Sequence, residues 1–145
     1  METTLNPERP VDIHKAALVI IKNRKLLLSR SHHMDMFIAP GGKLKPGEDP
    51  VAAAVREIYE EQGLVVRPDE LENFGTYYDV AAGTEADPKW LRMDVYIVVG
   101  LHDDPQPRNE IAENLWYDTS MQGVKQGSIF EHYVIPELIR RGLID

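Results

Sequence analysis

Glu57, Glu60 and Glu61 are the residues of this 145-residue chain whose types and spacing could do chemistry. On a helix, positions i, i+3 and i+4 share a face, so the three carboxylates would crowd and repel one another. Such crowding gains nothing for stability. It makes sense around a hard divalent cation, because Mg²⁺ and Mn²⁺ take oxygen ligands and keep several waters. Taken alone, the run EIYEE reads as an ordinary solvated helix face. Its neighbours change that reading. Pro40-Gly41-Gly42 stands a short loop before the helix, and residues without side chains let the backbone approach a phosphate or a metal closely. Glu48 adds a fourth carboxylate. Arg56 lies four residues before Glu60, where it can orient that side chain.

The element that must position these groups is a helix over 50–62. Asp49 can cap it, Pro50 suits its first turn, Ala52, Ala53 and Ala54 are strong helix formers, and Gly63 is a natural stop. Val51, Ala54, Val55 and Ile58 fall at i, i+3, i+4 and i+7, an apolar stripe that must pack on a core.

Residues 42–64, GKLKPGEDPVAAAVREIYEEQGL, carry a wider pattern. Gly42 is followed by five residues and Glu48; seven residues later come Arg56 and Glu57, then Ile58, Glu60, Glu61, Gly63 and Leu64. This arrangement resembles the Nudix box, the signature of hydrolases that cut a nucleoside diphosphate linked to another group. The resemblance implies an α/β fold, a Nudix-like α/β/α sandwich with a mixed sheet. It implies Mg²⁺ or Mn²⁺ held by Glu57, Glu60, Glu61 and the Gly41 carbonyl, with Glu48 supporting that set or joining it. Glu57 is then a candidate base, with Arg56 acting through the glutamates. Family members differ in a later acidic ligand, and Glu110, Glu113 and Glu131 are available. Ser128 and Glu131 form an S-x-x-E capping box, which favours a structural Glu131. Glu110 and Glu113 flank Ile111 in NEIAENLWYD, the segment similar to the family's late acidic stretch, and Glu113 is carried forward as the expected ligand with Glu110 beside it.

PGGK at 40–43 resembles the MutT-like branch that acts on nucleoside triphosphates, including oxidised ones, and this implies a small nucleotide as substrate. ADP-ribose or diadenosine polyphosphate hydrolysis is the alternative, and a nucleotide-binding module that does not cut is the alternative of another class. Gly42, Lys43 and Glu48 are expected near the phosphates. Tyr77 and Trp90 are expected near the base, with Trp90 in a polar loop beside Pro88-Lys89. Phe37 and Trp116 read as core aromatics. His32 and His33 read as exposed loop residues. A homodimer is a further implication of the resemblance.

Composition sets the outer limits. The length suits one domain over 1–145, with residues 1–10 as a loose arm. There is no cysteine, which rules out a disulfide framework and thiol catalysis. A net charge of −8 argues against a nucleic-acid polymer as partner. The acidic excess falls mostly after residue 70, and Lys22, Arg24, Lys25, Arg30, Lys43 and Lys45 leave the first half better suited to a small phosphorylated ligand. The start METTLNPERP is unlike a secretory signal, and the apolar run Ala16–Ile21 is too short to span a bilayer, so a cytosolic protein is expected. Strands are expected over 14–21, 25–30, 36–39, 72–80, 91–101 and 111–117, and a helix over 128–141 with Pro136 as a kink.

Overall fold

Alternation along one strand sets the layers. In β2 (Ile13–Val19), Ala16 and Leu18 pack with Ala53, Ala54 and Ile58 of helix α1 (Pro50–Gln62), whereas Ala17 and Val19 pack with Ile129, Val134 and Leu138 of a C-terminal helix. Successive strand residues point to opposite faces, so a strand apolar on both must be covered on both. The result is an α/β/α sandwich, seen in a computed structural model that describes residues 2–3, 9–100 and 103–145.

The middle layer is two sheets. One runs β1-β6-β7-β2-β5, where β1 is Glu2–Thr3, β5 Gly41–Lys43, β6 Leu71–Val80 and β7 Trp90–Val98. It is mixed: β2 is parallel to β7 and β1 to β6, and the other pairs are antiparallel. The other sheet runs β3-β4-β8, with β3 at Ile21–Lys22, β4 at Lys25–Ser31 and β8 at Ile111–Tyr117. Ile20 joins the two sheets, because the chain passes from β2 to β3 there and its carbonyl accepts from Leu27 N–H at 2.9 Å. Buried Asp94, midway along β7, ties the first sheet together, accepting from Thr76 Oγ1 at 2.7 Å and pairing with His14 Nε2 at 2.5 Å and Arg92 Nη2 at 3.2 Å.

The strand expected over 36–39 is a pair of single bridges instead. Ile38 exchanges hydrogen bonds with Ser29, and Phe37 N–H donates to Lys125 on the other side, so adjacent residues pair in opposite directions and no ladder extends. Of the expected loose arm, Glu2–Thr3 is a parallel edge strand on β6; residues 1 and 4–8 lie outside the described residues, as does Leu101, the expected end of β7.

The C-terminal helix, α2, begins with a widened stretch over Phe130–Val134 and continues as regular helix over Ile135–Arg140. Ile135 N–H reaches back to the Phe130 carbonyl, five residues away. Pro136 explains this. It has no N–H, and its ring would strike the carbonyl four residues before it, so the turn just upstream opens.

Candidate active site

Helix α1 forms where the sequence says it should. Asp49 Oδ1 accepts from Ala52 N–H at 2.8 Å, Pro50 opens the first turn, and Gly63 ends it at φ 68°, donating to Tyr59 at 2.9 Å. Its buried stripe runs through Ala54, Ile58 and Glu61, at i, i+4 and i+7. That phase puts Glu61 inside the molecule at 5% exposure and leaves Glu60 on the open side, its side chain 44% exposed.

The other end of the acidic site is built by capping. The last carbonyls of a helix lack intrahelical partners. Here Glu60, Glu61 and Gln62 find theirs in one loop: Asn109 Nδ2 donates to Glu60 O at 2.7 Å, Arg108 N–H to Glu61 O at 2.9 Å, and Gln106 N–H to Gln62 O at 3.0 Å. Asn109 takes φ 53°, a left-handed conformation that asparagine tolerates better than most residues. The next residue is Glu110. Its carboxylate comes together with those of Glu57 and Glu61, with oxygens from all three within 4.8 Å of one another.

The structure thus brings Glu110 to these carboxylates, whereas the expected Glu113 stands apart from them. On β8, Asn114 and Trp116 face α1, Asn114 through hydrogen bonds with Gln62 and Trp116 through the core beneath Ile58. Glu113 leaves the opposite face and pairs with Arg30 at 2.7 Å. Glu131 is exposed, 3.6 Å from its neighbour His132.

Arg56 is the hub on the helix's open side. Its guanidinium donates to both oxygens of Glu48 at 2.8 and 2.9 Å, to Glu57 at 2.6 Å, to Glu60 at 2.8 Å and to the Lys43 carbonyl at 3.2 Å. It thus orients Glu60, as its spacing suggested, and two more carboxylates besides. Glu48 also accepts from Lys45 N–H at 2.9 Å. With Arg56 and that amide holding it, its pKa falls to about 2, and both oxygens are already engaged. Glu48 is therefore held in place as a strut of the loop.

The two glycines have separate jobs. Gly41 has φ 146°, and a Cβ there would stand 2.1 Å from the Ala16 carbonyl oxygen. Its N–H donates to Glu61 Oε1 at 3.0 Å. Gly42 supplies room: a Cβ there would stand 2.7 Å from the carboxylate of Glu57. Burial pushes the Glu61 carboxyl up to about 8; the Gly41 hydrogen bond opposes this, and the nearby charges of Glu57 and Glu110 add to it. Burial also raises Glu57, against the pull of Arg56. Three gathered oxygen donors, two of them half-buried or buried, fit a hard divalent cation, which would offset the charge they cannot offset among themselves.

Beside the triad opens a cleft of about 350 Å³. Gly41, Gly42, Lys15 and Lys43 form its end near the carboxylates, and Met34, Met36, Ile38, Met93 and Phe130 are among its apolar walls. Tyr77 and Trp90 are not in it. Tyr77 is buried in the core and stacks on Tyr133 at 5.9 Å. Trp90, 5% exposed, stacks on Tyr78 at 6.2 Å with Arg9 4.5 Å from its ring. The polar loop before Trp90 suggested exposure, but Trp90 opens β7 and is covered from both sides. Phe37 and Trp116 pack against the two cores, and His32 and His33 are exposed, as expected. Lys15 was missed; the signal was a lysine inside an otherwise apolar strand.

A model of the NUDIX domain matches residues 12–135. Over 39 residues the chain is 54% identical to diphosphoinositol polyphosphate phosphohydrolase 2 of Mus musculus, a stretch covering 27% of this chain and 22% of that protein. The chain thus aligns with about a fifth of the length of the curated relatives it matches. Among solved structures, a MutT/nudix family protein from Enterococcus faecalis superposes with a TM-score of 0.62 at 18% identity, covering 79% of this chain and 46% of that one. A NUDIX hydrolase from Nitrosomonas europaea gives 0.62 at 20% identity, covering 88% and 86%. At these identities the likeness shows the fold. Among the described residues, no helix is long and apolar enough to cross a membrane.

Proposed function

This chain belongs to the NUDIX domain family, and from that premise we propose that it is a divalent-metal-dependent pyrophosphohydrolase that converts a nucleoside triphosphate to the monophosphate and pyrophosphate. The observation that carries the proposal is the gathering of Glu57, Glu61 and Glu110 within 4.8 Å, at the end of a cleft whose nearest cations are lysines. These three carboxylates would hold Mg²⁺ or Mn²⁺, with Glu60 and the Gly41 carbonyl as further donors. Such an ion supplies positive charge that offsets phosphate oxygens and acidifies water.

The chain's own groups do the rest. Glu61, fixed by the Gly41 N–H and nearly closed to solvent, serves as a rigid donor. Glu57 is better suited to take the proton of the attacking water: it lies against Gly42 at the cleft, and Arg56 fixes its carboxylate. The apolar walls would take the base and exclude water around it. The nucleotide pool it would draw on is cytosolic.

A second reading has one observation in its favour, the local 54% identity to diphosphoinositol polyphosphate phosphohydrolases. The cleft favours the first. Its methionine and isoleucine walls suit a planar organic group better than a ring crowded with phosphates. The presence of all four box glutamates, Glu48, Glu57, Glu60 and Glu61, counts against a module that binds without cutting. A phosphate-release screen tests all of these at once, run with Mg²⁺ and with Mn²⁺ on (d)NTPs, oxidised dNTPs, ADP-ribose, diadenosine polyphosphates and diphosphoinositol phosphates. Turnover of a (d)NTP above the others is the expected result. Preference for a diphosphoinositol substrate would overturn the substrate assignment, and silence on every compound would overturn the activity.

A further inference from the structure

Lys15 and Lys43 are direct partners across the antiparallel pair β2–β5, so both side chains leave the same face of the sheet. Both line the cleft, and no aspartate or glutamate lines it with them. Like charges placed opposite one another destabilise a sheet. Burial works against Lys15 further, and Lys43 adds to it, with Glu61 and Glu57 opposing. Among the described residues, neither ammonium makes a hydrogen bond or an ion pair. A half-buried ammonium without a partner, facing a second, exposed one across the strand pair, is a cost to the free protein. An anion removes that cost.

The neighbours say where the anion lies. Across β2–β7, Lys15 pairs with Met93 and Ile13 with Leu91, so Lys15 borders the apolar part of the cleft that Ile13, Leu91 and Met93 line. On its other side, Lys15 feels Glu57 and Glu61 of the triad. Lys15 therefore stands between the apolar walls and the carboxylates.

We propose that Lys15, with Lys43, clamps the phosphate nearest the substrate's organic group, and so fixes the direction in which the substrate lies: organic part against the methionine walls, diphosphate bridge toward Glu57, Glu61 and Glu110. Lys15 is a substrate-binding and positioning residue, not a proton carrier. The clamp selects diphosphates joined directly to a compact organic group. It rests on the hydrolase reading for the position of the bridge, but the anion site itself does not.

The test separates the two. Binding of α,β-methylene-dATP and of inorganic pyrophosphate is measured by calorimetry with Mg²⁺ for the wild type, Lys15→Met, Lys15→Arg and Lys43→Met. Losing a charge-assisted contact from a partly buried ammonium should weaken Lys15→Met for both probes by at least about tenfold, with Lys15→Arg recovering part of the loss. Its KM for the best substrate should rise similarly, while kcat stays within about threefold. The metal-free Lys15→Met protein should also melt no lower than the wild type, because the substitution removes a repulsion. A lysine with only a structural role would do the reverse, lowering the melting temperature and leaving the binding constants alone. Wild-type affinity for both probes in Lys15→Met would overturn the clamp, even if hydrolysis is confirmed. Loss of pyrophosphate binding in Lys15→Met, in a wild type that hydrolyses nothing, would leave the clamp standing and sink the hydrolase reading instead.

Discussion

Glu61→Gln should make the metal-free protein more stable while abolishing its chemistry, and the size of the gain should grow with pH. Glu61 titrates from about 4.5 in the unfolded chain to about 8 in the fold, chiefly through burial. Below the unfolded value the group is protonated in both states and costs nothing. Between the two values the folded protein retains a proton that the unfolded chain releases, so wild-type stability falls by roughly 1.4 kcal/mol per pH unit from this group. At pH 7 the accumulated cost is roughly 3 kcal/mol, and above about pH 8 it stops growing. Glutamine imitates the protonated carboxyl. Its oxygen can keep the Gly41 N–H, bonded at 3.0 Å, and its amide can donate to Glu57 or Glu110. Urea denaturation of both proteins in EDTA at pH 5, 6, 7 and 8 checks this directly, since titrations away from the site are common to the two. The curves should diverge with rising pH. Parallel curves would refute the reasoning, because they would mean that Glu61 ionises as freely in the fold as out of it. Adding Mg²⁺ or Mn²⁺ should stabilise the wild type and leave Glu61→Gln unchanged, and should release a proton at pH 7 that calorimetry in two buffers can count.

The remaining expectations follow from geometry. Glu110→Gln should lower kcat/KM by at least about 100-fold, whereas Glu113→Gln, which loses only its pair with Arg30, should stay within about threefold in the same steady-state assay. Gly41→Ala should fail to give folded, soluble protein, since its Cβ would meet a backbone oxygen at 2.1 Å; Gly47→Ala, with nothing within 4 Å, should cost only about 1–2 kcal/mol of left-handed strain by urea denaturation. Asn109→Ala should lose about 2 kcal/mol in the same measurement, from a hydrogen bond and a left-handed φ together, and should weaken divalent-ion binding because Glu110 is no longer held. Asn109→Gly keeps the conformation and should bind the ion more tightly than Asn109→Ala.

Local signals carried far in this chain. The Asp49 cap, the Pro50 start and the Gly63 stop are one-residue decisions, and they bounded α1 correctly. Strand β8 at 111–117 was read the same way. What could not be read depended on partners distant in sequence. The choice between Glu110 and Glu113 turns on three carbonyls at the end of α1, about 50 residues away, that draw the preceding loop down. Neither glutamate advertises this locally. Trp90 followed a run of turn residues, yet cross-strand pairing and Tyr78 cover it. The helix phase, which buries Glu61 and exposes Glu60, was hidden for another reason: of the stripe expected over Val51, Ala54, Val55 and Ile58, only Ala54 and Ile58 are fully buried, and Ala53 joins them. Lys15 was legible in principle, as a charge where a buried strand should have none.

The widened turn before Pro136 sets the rotational phase between the two ends of its helix. Ser128, Ile129 and Phe130 upstream of it help to wall the cleft, while Leu138 downstream is locked in the core. Deleting one residue between 131 and 134 would spin the upstream end by about 100° and carry Ile129 and Phe130 off the wall and out of the core they also fill, with Leu138 left where it is. A change of length at this point can therefore remould the cleft while the carboxylates on α1 and its capping loop stay in place. Relatives that differ by a residue here should differ in what they admit more than in how they cut.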